Sequence, residues 1–66
     1  MIDLGKRIQD LAAEKDMSIN QLAKASGVPA STIKNITQGK SRNPGIETIA
    51  KICRALEVTL AEFFDD

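Results

Sequence analysis

The sequence predicts an all-α fold, five short helices around one core, on three observations. Apolar residues recur at helical spacing along nearly the whole chain, and no segment sustains the two-residue alternation of a strand. Helix-start and helix-stop residues interrupt that pattern at intervals suited to elements of two or three turns. With 66 residues, 42% of them apolar, there is room for one domain, residues 1–66, and for a single core.

The first helix is expected over about 3–15, where Leu4, Ile8, Leu11 and Ala12 share one face. Ser18 then stands where an N-cap belongs, with Gln21 three residues on to complete a capping box and Met17 placed to staple against Leu22. The second helix, about 18–25, turns Leu22 and Ala23 inward. Gly27 stops it with a positive φ and reverses the chain in little space. Val28 reads as a buried hinge residue, and Pro29 as the start of a third helix over about 30–38, with Ile33 and Ile36 on the core. Gly39 ends that helix, and residues 40–45 form a polar loop. A fourth helix, about 46–56, presents Ile46, Ile49, Ile52, Cys53 and Leu56. A fifth, about 60–64, is capped by Thr59 with Glu62 and puts Leu60, Phe63 and Phe64 on the core.

Charge is neutral in total and polarised along the chain. Nine basic and nine acidic residues cancel, yet residues 17–46 hold Lys24, Lys34, Lys40 and Arg42 and no acid at all. That stretch carries +4, against −1 for residues 1–16 and −3 for residues 47–66. Such a distribution suits a face that meets a polyanion.

Several functions are disfavoured by what the chain lacks. With one cysteine and no histidine there is no intramolecular disulfide, no Cys/His zinc site and no imidazole base. Cys53 reads as a small buried hydrophobe. No glycine-rich phosphate loop appears, Asp10 and Glu14 fall on a solvated face, and Asp65-Asp66 reads as a solvated tail. No catalytic residue, metal site, cofactor or small-molecule ligand is therefore expected. No apolar run reaches the length of a membrane span, and Met1–Arg7 lacks a signal-peptide core, which makes the expected location cytoplasmic.

The informative unit is the stretch from Gln21 to Ile33: two helices joined by a short turn with a central glycine, the pattern of a helix-turn-helix. Ala23 is small where the helices cross, and Val28 and Ile33 lock the two axes. With Gln21-Leu22-Ala23, Ser26-Gly27-Val28, Ser31-Thr32-Ile33, Gly39-Lys40, Pro44, the Ile46/Ile49 helix and the closing run Ala55 to Phe64, the chain resembles the lambda-repressor-like, Cro/XRE-type helix-turn-helix DNA-binding family over about residues 4–64.

The resemblance implies a five-helix domain whose third helix enters the major groove of double-stranded DNA. The family's base-reading positions fall on Ala30, Ser31 and Asn35, with Thr32 and Lys34 beside them. Their side chains have the chemistry for it. Asn35 can pair with adenine N6 and N7, Ser31 can donate or accept, and Ala30 or the Thr32 methyl can touch a thymine methyl. Phosphate contacts are implied for Gln38 and for Lys40, Ser41, Arg42 and Asn43 in the following loop. The backbone N–H groups near Ser18 and Ile19 join them at the start of the second helix. Lys24 lies off that face and reads as solvated.

Ile19 departs from the polar side chain common in the family, and Ala30 is shorter than the usual reader, which shifts weight from base contacts to DNA shape. With only a few useful cations, one copy binds weakly, and the resemblance implies a homodimer through the helix-five region, where one of Phe63 and Phe64 stays partly exposed. The function implied is repression, or occasionally activation, at a short palindromic operator. The rival reading is a protein-interaction module, such as an antitoxin or anti-repressor with weak DNA binding.

Overall fold

The computed structural model describes residues 3–40 and 44–65. Five helices follow in order: α1 Leu4–Glu14, α2 Ile19–Ser26, α3 Ala30–Thr37, α4 Ile46–Leu56 and α5 Leu60–Phe64. The expected bounds of the first three shift by one residue at the ends, because Asp3, Ser18 and Gln38 are caps and Ser26 completes α2.

The caps explain why such short pieces hold. Asp3 accepts from the N–H of Lys6 at 3.1 Å and starts α1. Ser18 and Gln21 form the expected capping box: Ser18 Oγ accepts from the Gln21 N–H, and Gln21 Oε1 accepts from the Ser18 N–H. Thr59 and Glu62 repeat the device at α5. Pro29 is the N-cap of α3, which starts at Ala30 as expected; its carbonyl accepts from Thr32 and Ile33, and no side chain caps the helix.

Three of the helix ends close with a left-handed residue and a pair of reversed hydrogen bonds. After α3 the N–H of Lys40 reaches Asn35 O and that of Gly39 reaches Ile36 O, with Gly39 at φ +76°. After α1 the left-handed residue is Asp16 (φ 55°), and after α4 it is Glu57 (φ 60°), neither with glycine's freedom. Gly27 has the positive φ the sequence demands, at +76°. A Cβ there would meet nothing within 4 Å, so conformation and not space requires glycine.

One core unites the helices: Ile8, Leu11 and Ala12 from α1, Leu22, Val28, Ile33, Ile36, then Ile49, Ile52, Cys53 and Leu56 from α4, and Phe63. Leu4, Met17, Ile19 and Ala23 pack around it. The α2 helix packs on α3 and α4, α1 on α3, and α5 on α4. Three expected core residues are not there. Ile46 is 62% exposed, Phe64 43% and Leu60 39%. Ile46 sits at the first position of α4, beyond the core's edge, and α5 is too short to turn three large side chains inward. Phe63 takes the whole buried place, and Phe64 meets it edge-on, ring centroids 5.2 Å apart.

Candidate nucleic-acid interface

Placement of α3 begins with the turn before it. Gly27 ends α2, and the N–H of Val28 is taken by Ser26 Oγ at 3.2 Å, which leaves Val28 free to drop into the core. The buried pair Ile33 and Ile36 then fixes which side of α3 faces inward. At 100° per residue the opposite side carries Ser31, Asn35 and Gln38, spaced i, i+4 and i+7. Ser31 and Asn35 are exposed, as is Lys34 beside them, and Gln38 closes the stripe at the C-cap of α3.

Ala30 and Thr32 flank that stripe and are half-buried. They offer a methyl at the edge of the surface, without the reach of a longer side chain. Lys40 is exposed just past the end of α3. Ser41, Arg42 and Asn43, the remaining implied phosphate contacts, lie outside the described residues. The stripe itself bears amide, hydroxyl and ammonium groups and no carboxylate, a surface able to donate to phosphates and to base edges.

At the start of α2, Ser18 is placed at the surface, and its hydroxyl oxygen is committed to Gln21. Ile19 packs its side chain against the core, so its backbone N–H is what it offers a phosphate. Lys24 is exposed on the last turn of α2.

The arrangement of α2, turn and α3 is matched by proteins of known family. Residues 7–66 fit the model of the Cro/C1-type helix-turn-helix DNA-binding domain. The chain belongs to that family. Among its relatives, the HTH-type transcriptional regulator SlrR of Bacillus subtilis (strain 168) is 40% identical over 62 residues, 94% of this chain and 41% of SlrR. The HTH-type transcriptional regulator SinR of the same organism is 30% identical over 63 residues, 96% of this chain and 57% of SinR. The HTH-type transcriptional repressor RghR, also of that organism, is 38% identical over 58 residues, 88% of this chain and 43% of RghR. A solved SinR protein/SinI protein complex superposes with a TM-score of 0.88 at 30% identity, covering 96% of this chain and 61% of that one. The chain thus spans about two fifths to three fifths of the length of these relatives. It is a Cro/C1-type DNA-binding domain of the kind found in transcriptional regulators, and the family is not one of enzymes. No helix among the described residues is long and apolar enough to cross a membrane.

Two residues in contact with α3 and α5 were missed in the sequence. Gly5 is buried in the first turn of α1, where it backs onto the end of α3; a Cβ built there would lie 2.6 Å from Ile36 O and 2.9 Å from Thr37 Cα. Its signal was available, since Gly5 precedes Ile8 by three on the buried stripe, and a glycine on a buried helix face marks a close backbone approach. Arg7, on the same helix, donates through Nε to Phe63 O at 2.8 Å and through a terminal nitrogen to Glu62 O at 2.6 Å. Nothing local in the sequence signals a contact 56 positions away.

Proposed function

We propose that this domain belongs to a transcriptional repressor that occupies a short palindromic operator as a homodimer, with α3 of each copy in the major groove. Ser31 and Asn35 read bases with Ala30, Thr32 and Lys34 beside them. Gln38, Lys40, Ser41, Arg42, Asn43 and the N–H groups near Ser18 and Ile19 hold phosphates. The observation that carries this reading is the exposed, carboxylate-free stripe of α3 opposite Ile33 and Ile36. The repressor named among the relatives supports the sign of regulation.

Dimerisation is supported by Leu60 and Phe64, one turn apart on α5 and both exposed. Pairing there doubles the phosphate contacts that one neutral copy makes. The same two residues favour the second reading, an interaction module, since the solved SinR neighbour is a complex with another protein.

Selection from random duplexes, followed by titration at about 50 and 200 mM salt, tests both readings. The expected product is a palindrome with half-sites about 34–36 Å apart, bound more weakly at the higher salt. Absence of duplex binding even at low salt would put the interaction module in its place.

A further inference from the structure

We infer that Gly5 is a positioning residue for the reading helix: its missing side chain sets how closely α3 lies on α1, and so the angle at which the stripe of Ser31 and Asn35 is presented. This rests on the reading that α3 meets the bases, and it assigns to α1, far from the turn, a share in sequence selectivity.

The geometry makes the contact a hard stop. A methyl at position 5 would fall 2.6 Å from Ile36 O, 2.9 Å from Thr37 Cα and 3.2 Å from Thr37 O. All three are backbone atoms, so no side chain can swing aside. Restoring ordinary contact, 3.4 Å or more, requires the helices to part by about 0.8 Å. We place the displacement on α3 because Arg7, on the side of α1 turned away from Gly5, ties the same turn of α1 to the carbonyls of Glu62 and Phe63. Pushed at Ile36 and held at Ile33, α3 tilts, and its leading end at Ser31, about 7.5 Å along the axis from Ile36, moves by a comparable amount. Hydrogen bonds to base edges tolerate a shift of only a few tenths of an ångström, whereas a flexible lysine can follow a phosphate over a larger one.

The test is Gly5→Ala, made in the whole chain and also in a Glu57→Gly background that relieves a strained turn elsewhere. Ile8→Val serves as a control that loosens the same helix without adding a methyl at α3. Residual dipolar couplings of the free protein should show α3 reoriented against α4 in Gly5→Ala and unmoved in Ile8→Val. Affinity for the selected operator should fall about tenfold or more, while affinity for an unrelated duplex changes less than about twofold. Unchanged couplings, an equal loss on both duplexes, or failure to fold even in the Glu57→Gly background would each overturn the inference. If the unsubstituted protein shows no duplex selectivity, the DNA reading of α3 is what fails, and the couplings still decide whether Gly5 sets its angle.

Discussion

Arg7 and Phe63 are joined across 56 positions of sequence: the guanidinium of one donates to the backbone carbonyl of the other at 2.8 Å, and to its neighbour Glu62 O at 2.6 Å. The pair fastens the C-terminal end of α5, where Glu62 O also accepts from the Asp65 N–H at 3.3 Å. Such a helix has too few turns to stand alone. It persists because Thr59 and Glu62 cap one end, Arg7 caps the other, and Phe63 anchors the middle with no exposed surface.

Arg7→Ala should therefore destabilise the domain by about 1–2 kcal/mol, less than two buried charged hydrogen bonds because the site is partly solvated. Arg7→Lys should recover only part, since an ammonium cannot reproduce the fork. Urea unfolding measures both. Amide exchange should quicken in α5 before it does in α2. A loss spread evenly over all five helices would contradict the fastening role.

Glu57 closes α4 in the left-handed region at φ 60°, with its N–H on Arg54 O and the next N–H on Cys53 O. A side chain with a Cβ is strained there, and glycine is not. Glu57→Gly should raise stability by about 0.5–1 kcal/mol after allowing for the added freedom of the unfolded chain. Asp16→Gly, at φ 55° after α1, should gain less, because aspartate tolerates this conformation better than glutamate. Thermal melts of the two variants side by side check the order, and a drop in midpoint for Glu57→Gly would refute the strain.

Cys53 lies in the core at 3% exposure, and burial pushes its thiol above the ordinary value of 9.0. In the unfolded chain the thiol ionises at a lower pH than in the folded one. The folded state therefore keeps its full margin below the unfolded value and loses it as pH rises toward the folded one. Above about pH 9 the domain should lose stability that a Cys53→Ala variant does not lose over the same interval, whatever their difference at pH 7. A thiol reagent should react with Cys53 only as fast as the protein opens. Parallel alkaline slopes for the two proteins would show that the thiol takes no part.

How much of this was legible in the sequence follows the range of each signal. Ser18 with Gln21, Thr59 with Glu62, and the stops at Gly27 and Gly39 act within four residues and made α2, α3 and α5 readable, while α1 and α4 were readable from the helical spacing of their apolar residues. The outward placing of Ser31 and Asn35 was equally readable, because Ile33 and Ile36 fix the opposite face by helical spacing alone. Leu60 and Ile46 went astray for a different reason. Both are first-turn residues, and periodicity cannot say where along an axis the core stops. Arg7 on Phe63 depends on the relation of the two chain ends, for which no local pattern exists.

Asn35 and Lys40 should separate the two kinds of contact assigned to the DNA-facing surface. Asn35 sits mid-stripe with its amide exposed, whereas Lys40 stands one residue past Gly39 at the stripe's end. Asn35→Ala should weaken binding to the selected operator by about 1–3 kcal/mol and relax preference at one base pair, with the salt dependence unchanged. Lys40→Ala should weaken every duplex alike and flatten the logarithmic salt slope by about 0.9 per cation removed from each copy. Titrations of both variants on operator and on random duplex, each across a salt series, give four slopes and two selectivity ratios. Selectivity lost on removing Lys40, or a uniform loss on removing Asn35, would reverse the assignment, because an ammonium on a backbone phosphate cannot tell adenine from guanine and an amide on a base edge releases no counterion.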